Sequence, residues 1–311
     1  MITEMLLYKN SSESGRALAE AVGINFESVG RNGTYNCINW GSGDRLVATL
    51  PRQWLNTRQS VAIAQAKDKA LAQLSYHGVN TPDTTVNIET AKGWCNDGHL
   101  VYCRTLTRAN QGRGIVLAEE ASEVVVAPFY TKQVNADREY RIHVFQGNVL
   151  AGSRKVAMDD YEGVIDFNIK NHDRGWKFRL CETNRIHSNL TSEAVQAVKA
   201  LDLDFGAVDL CWNTETHVAT ILEVNTAPRV EGTIMEAYVN AFKGWVVNPD
   251  RQRNYTIKYN IITPREVSIT ASCSSEAHRI FTESLDDDDN VDITFIDEQG
   301  SIFNTMRMGN D

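Results

Sequence analysis

Three oxygen-bearing side chains stand at spacings that can hold a divalent cation. Glu223 and Asn225 close the apolar run Thr220-Ile221-Leu222-Glu223-Val224-Asn225, and Asp209 sits within Gly206-Ala207-Val208-Asp209-Leu210. In an extended strand residues i and i+2 share a face, so Glu223 and Asn225 project together. If 206–212 and 218–225 form a hairpin about Asn213–His217, Asp209 comes to lie opposite Glu223 on that face. Hard oxygen donors of this kind suit magnesium, which takes one or two carboxylates from a protein and completes its octahedron with phosphate oxygens and water. The plainer alternative is three polar residues on the wet face of an antiparallel sheet.

Other residues have the chemistry to accompany such an ion. Gly112-Arg113-Gly114 lies between two strand-like runs, where backbone amides could close over phosphates or simply make a turn. Arg104 ends the preceding strand and can present a guanidinium to phosphate oxygens. Glu139 and Arg141 alternate on one face of Glu139-Tyr140-Arg141-Ile142-His143-Val144-Phe145, and Lys155 stands near the end of the next strand. A carboxylate can bind a ribose hydroxyl and two cations can hold a transferring phosphate. A cross-strand ion pair is the plainer reading, and it would contribute little. His143 is left without a role. No Walker A loop, GxGxxG fingerprint or Gly-x-Ser-x-Gly elbow occurs, and none of the seven histidines is spaced as a zinc pair. Asp286–Asp289 lacks the spacing and glycine of a calcium loop and reads as solvated chain.

These residues need elements to position them. Residues 1–50 alternate strand, helix (Ser14–Val22), strand and the Gly-rich loop Gly41-Ser42-Gly43, the order of a small α/β unit. Residues 60–77 read as one helix carrying Lys67 and Lys69 near its middle, followed by a Thr81-Pro82 turn. Strands are expected at 100–104, 124–129, 140–145 and 149–156, irregular chain over 159–189, and helices at 191–201 and 231–245. Past Pro249, strands at 255–263 and 266–272, a helix at 275–285 and a hairpin at 291–303 form a separate appendage.

Composition narrows the class. A chain of 311 residues with 42% apolar and 23% charged residues can build a substantial core. There is no signal-peptide pattern and no run long enough to span a bilayer, so no membrane partner is expected. Six scattered cysteines without a CxxC pair read as free thiols in a reducing compartment, which makes cytoplasmic the expected location. The net charge of −9 is concentrated at one end: residues 265–311 hold eleven Asp/Glu against three Arg. No basic stripe marks a nucleic-acid binder.

Taken in order, Asp68-Lys69, the cation-ending strand, the glycine hairpin, Ala127-Pro128-Phe129-Tyr130, Glu139-Tyr140-Arg141, Lys155, Asp209 and Glu223-Val224-Asn225-Thr226-Ala227-Pro228 resemble the ATP-grasp superfamily. Within it the pattern is similar to the carboxylate–amine ligases related to D-alanine–D-alanine ligase and the ribosomal-protein glutamate ligases. The resemblance covers roughly 60–245 and is most specific over 206–228. Asn39-Trp40-Gly41-Ser42 also looks like the short pre-grasp domain of uncharacterised members, some from bacteriophages.

The resemblance implies ATP and Mg2+ as cofactors, with Asp209, Glu223 and Asn225 holding one or two magnesium ions. It places Lys69 and Arg104 on the α- and β-phosphates and Gly112, Arg113 and Gly114 in a lid. Phe129, Tyr130 and Thr131 would form the hinge under adenine, and Glu139 would take the ribose. Lys155 and Arg141 would neutralise the γ-phosphate or an acyl phosphate. Two departures stand out. Arg104 occupies a place usually held by Lys, and the two side chains are not interchangeable. Arg229 follows Pro228 where ligases often have Gly, and it could bind an anionic substrate.

The expected architecture is α/β and α+β: a pre-grasp α/β unit at 1–59, ATP-grasp subdomains at 60–249 and an acidic α+β appendage at 250–311. The expected activity is ATP-dependent joining of a carboxylate substrate to an amine acceptor (amino acid, peptide or protein terminus) through an acyl phosphate. A kinase of the same fold, and a non-catalytic binding module acting through the acidic tail, are the alternatives. The sequence leaves the substrates and the oligomeric state open.

Overall fold

A computed structural model describes residues 3–8, 12–27, 35–43, 53–107, 114–247, 253–260, 264–271, 276–277, 280–281, 291–297 and 302–308. The chain forms two compact units: 1–60 with 200–203 and 231–311, and 61–199 with 204–230.

The first unit begins with β1 (Thr3–Tyr8), α1 (Glu13–Val22), β2 (Asn25–Glu27), β3 (Tyr35–Trp40) and β4 (Gln53–Leu55). All pairings are parallel and the strand order is β2-β1-β3-β4. Helix α1 starts where Ser12 Oγ accepts the Gly15 N–H at 3.0 Å, and it stops at Gly23, whose φ of 84° is a left-handed conformation that glycine adopts freely. A side chain at position 15 would meet Trp40 at 3.2 Å, so glycine there lets the helix lie close to β3. Every residue of β3 is buried.

The chain then runs through α2 (Arg58–Gln65), which straddles the boundary, into the second unit: α3 (Lys67–Tyr76), β5 (Thr84–Thr85), α4 (Ile88–Asn96), β6 (Val101–Arg104), β7 (Ile115–Ala118) and β8 (Phe129–Lys132). These four strands form an antiparallel sheet ordered β5-β8-β6-β7. Helix α4 is capped by Asn87, whose side-chain oxygen accepts from the N–H groups of Glu89 and Thr90. Its Ala91 and Cys95 pack on Val101, Cys103, Ala118 and Tyr130.

Next come β9 (Arg138–Phe145), β10 (Asn148–Ala157), β11 (Trp176–Cys181), α5 (Ser188–Ala200), β12 (Phe205–Asn213) and β13 (Val218–Asn225). They make a five-stranded antiparallel sheet ordered β11-β10-β9-β12-β13. Its two faces differ. Ile142, Val144, Val208, Leu210 and Val224 are buried, as are Leu190, Ala194, Ala197 and Val198 along one side of α5. A side chain at Gly206 would meet Val224 at 2.8 Å and Val198 at 3.9 Å, which shows how closely α5 covers this face.

The chain returns to the first unit with α6 (Gly232–Val247), whose Tyr238 and Phe242 meet Trp40 edge-on at centroid distances of 5.5 and 6.1 Å. The last strands, β14 (Arg253–Asn260), β15 (Pro264–Ala271), β16 (Val291–Asp297) and β17 (Ile302–Met308), form an antiparallel sheet ordered β15-β14-β16-β17. The expected helix at 275–285 lies largely outside the described residues.

Three local expectations change. The helix expected over 60–77 is broken at Ala66, where the Lys67 N–H bonds to the Thr107 carbonyl at 3.2 Å. The strand expected over 124–129 begins only at Phe129. The chain expected to be irregular over 159–189 contains β11.

Candidate active site

The open face of the five-stranded sheet gathers the charged residues. Asp209 pairs in register with Glu223 on β13 and with Arg141 on β9, and a bulge separates the Asp209 and Leu210 pairings. The Arg141 guanidinium grips Asp209 through two bonds, Nε to Oδ1 at 2.6 Å and a terminal nitrogen to Oδ2 at 2.7 Å. Asn225 Nδ2 donates to Glu223 Oε1 at 3.1 Å and to Asp209 Oδ2 at 3.4 Å. The three donors anticipated from their spacing therefore converge.

The fourth partner is Lys67, whose ammonium binds the Glu223 carboxylate. Two ties hold it there. Asn80, just beyond α3, clamps β13: its carbonyl accepts the Ile221 N–H at 2.8 Å and its Nδ2 donates to the Ala219 carbonyl at 2.7 Å. The other end of the helix is fixed by the Lys67–Thr107 backbone bond. Lys69, two positions later, is exposed, since a two-residue step on a helix turns through about 200°.

A second cluster lies beside the first. Glu139 accepts from Lys155 Nζ at 2.8 Å and pairs with Lys170 at 3.3 Å, and Lys155 also donates to the Lys170 carbonyl at 2.7 Å. Phe178 on β11 stacks under both Arg141 and Lys155, at 4.4 and 5.2 Å from its ring centre. Arg104 donates from Nε to Thr131 Oγ1 at 3.3 Å.

Burial and charge set the protonation states. Burial and the neighbouring Arg104 guanidinium, only partly opposed by Asp209, bring Lys67 from 10.5 down to about 8. Burial alone would push the Asp209 carboxyl up. Arg141, with Lys155 and Lys67 beyond it, outweighs that and holds it below the usual range. His143, two residues beyond Arg141 on the same face of β9, is lowered to about 4 by burial and by Arg141, so it is neutral near pH 7. Burial and the Glu139 carboxylate push Cys211 up to about 12. Five cations (Lys67, Arg104, Arg141, Lys155, Lys170) accompany three carboxylates (Glu139, Asp209, Glu223), leaving a positive excess suited to a polyanion.

The remaining anticipated residues are placed as follows. Phe129, Tyr130 and Thr131 are buried in β8, with the Tyr130 hydroxyl donating to the Val125 carbonyl at 3.1 Å. Gly114 has φ +71° and its carbonyl accepts the Thr105 N–H at 2.8 Å, closing the turn into β7. Gly112 and Arg113 lie outside the described residues. Arg229 is exposed on the segment leaving β13. Two residues the sequence reading did not assign, Lys67 and Lys170, are built into the site. Lys67 had a signal, its place one residue before Asp68 in the quoted motif. Lys170 had none, lying in a stretch without periodicity. Among the described residues no three His, Cys, Asp or Glu side chains form a metal cluster; the oxygen-bearing side chains that converge are two carboxylates and an amide. Among them, too, no helix is long and apolar enough to cross a membrane.

No family model and no curated protein sequence matches the chain. Solved structures do. D-alanine–D-alanine ligase from Bacillus anthracis is 15% identical with a TM-score of 0.55, the match covering 79% of this chain and 93% of that one. D-cycloserine synthetase DcsG is 17% identical with a TM-score of 0.52, covering 78% and 99%. The ATP-grasp ligase PsnB, solved with a phosphomimetic variant of a minimal precursor, Mg and ADP, is 14% identical with a TM-score of 0.53, covering 77% and 98%. The expected resemblance is thus borne out at the level of architecture, in which two antiparallel sheets follow a parallel α/β unit: the chain has the ATP-grasp fold.

Proposed function

We propose that the protein is an ATP-dependent ligase joining a carboxylate to an amine through an acyl phosphate. The observation that carries this reading is the convergence of Asp209, Glu223 and Asn225 with Lys67, Arg141 and Lys155 on one open face. Two carboxylates and an amide are the hard donors magnesium takes, and the cations already paired with the carboxylates hold them in place. Asp209, Glu223 and Asn225 would hold the ion, which supplies charge neutralisation to the β- and γ-phosphates when bound.

The chain's own residues do the rest by position and fixed charge. Lys67 and Arg104 take the α- and β-phosphates; we prefer Lys67 to Lys69 because it reaches Glu223. Arg141 and Lys155 face the transferring phosphoryl group, Glu139 the ribose, and the backbone of 129–131 the adenine edge. Arg229 meets the acidic substrate. A carboxylate oxygen attacks the γ-phosphorus and ADP leaves. The amine then attacks the acyl carbon, and phosphate departs with the electron pair. Neighbours of the fold support amino-acid or peptide substrates: the macrocyclase MdnC was solved bound with a precursor peptide. Free thiols at Cys37, Cys95, Cys103, Cys181 and Cys211 suit a reducing, cytoplasmic setting.

Calorimetric titration of ATP with magnesium and with EDTA, for the wild type and Glu223→Ala, tests the site. Magnesium-dependent binding that the substitution weakens is expected. ADP release should then require both a carboxylate and an amine. A stable phosphorylated product formed without any amine would instead make the protein a kinase.

A further inference from the structure

The outer edge of the five-stranded sheet is left open. Among the described residues strand β11 pairs only with β10, and the side chains of 177–180 are exposed. Among the described residues, 177–181 make no backbone hydrogen bond outside that ladder. By alternation along the ladder, 177, 179 and 181 bond to β10 while Phe178 and Leu180 turn their N–H and C=O groups outward, the arrangement on which an extended chain can add.

Its side chains alternate in character. Lys177 and Arg179 point to one side, and Arg179 stands directly opposite Arg154 on β10. Among the described residues none of these three cations is in an ion pair. Like charges facing each other across a ladder are destabilising, so the sheet carries here a repulsion that nothing within the described residues relieves. On the other side are Phe178 and Leu180, 38% and 51% exposed, with Phe178 lying against Arg141 and Lys155.

We propose that β11 is a docking edge for an acidic peptide segment, which adds to the sheet as an outer strand. Its main chain bonds to the outward-facing backbone groups of Phe178 and Leu180. Alternate carboxylates reach Arg154, Lys177 and Arg179, and the intervening side chains lie over Phe178 and Leu180 toward the charged face. A peptide fits better than a nucleic acid because the free backbone groups and the interleaved apolar residues serve only a peptide. The chain's net charge of −9 repels polyanions in general, so capture depends on this local geometry. The inference does not rest on the proposed ligase activity and is tested without nucleotide.

The probe is a fluorescein-labelled oligoglutamate peptide followed by anisotropy, with hydrogen exchange read over 177–181. Wild type should bind and gain protection there. Arg179→Glu and Arg154→Glu should each bind about tenfold more weakly or worse. Each also replaces an Arg–Arg opposition by an Arg–Glu pair, so the thermal midpoint should hold or rise, which separates lost docking from lost folding. Absence of binding by the wild type, equal binding by the variants, or binding without protection at 177–181 would overturn the proposal. So would equally tight binding of a single-stranded oligonucleotide with the same loss in the variants, which would mark a nucleic-acid surface.

Discussion

Lys67 and Lys69 stand two positions apart on one helix and turn to different sides, so a pair of single substitutions separates them. Lys67→Met removes the cation that reaches Glu223, and ATP affinity measured by titration should fall on the order of tenfold or more. Lys69→Met should leave it near wild type. Glu223→Gln and Asp209→Asn, which keep shape and remove charge, should each lower ADP release on the order of 10²-fold. His143 gives a prediction about pH. Its pKa falls from 6.5 to about 4 on folding, so within that window the unfolded chain binds a proton that the native one refuses. Stability should therefore drop as pH falls through the window, and denaturant titrations of His143→Gln should show a flatter dependence. The metal-type trio was legible because strand alternation fixes which side chains share a face. Lys67 was not singled out because the break at Ala66, made by a backbone bond to Thr107, resets the helix phase from outside the helix.

Elements were legible where burial imposes a period. Strands β9, β10, β12 and β13 and helices α5 and α6 fall within a few residues of their expected places. Strand β11 was missed because both its faces are exposed, and Trp-Lys-Phe-Arg-Leu-Cys alternates cations with apolar residues instead of marking a core. Val124–Pro128 has the composition of a strand but is fixed otherwise: Tyr130 O–H donates to the Val125 carbonyl and accepts from the Ala127 N–H. At the same scale, Gly206 allows α5 and β13 to close on β12. Gly206→Ala would place a methyl 2.8 Å from Val224 Cγ1, and overpacking of this kind costs about 1–3 kcal/mol. Denaturant midpoints would register that loss, and a neutral result would mean that Val224 shifts at little cost.

The first unit is built from both ends of the chain, while the residues of the second, apart from 200–203, run unbroken between them. Two truncations follow from this. A chain ending at residue 250 keeps α6, and so the Tyr238 and Phe242 rings on Trp40, and should still bind ATP. A chain ending at 230 strips Trp40 of both rings, and its first unit should lose hydrogen-exchange protection in β3 while the second unit keeps its own. The same arrangement sets an order during synthesis. By the time residue 230 leaves the ribosome, the whole candidate ATP site has been made, whereas Trp40 and the α1 helix still lack α6. The half that holds the candidate site can thus mature first, and the half that precedes it in the gene must wait, with the Trp40 ring uncovered until the later helix arrives.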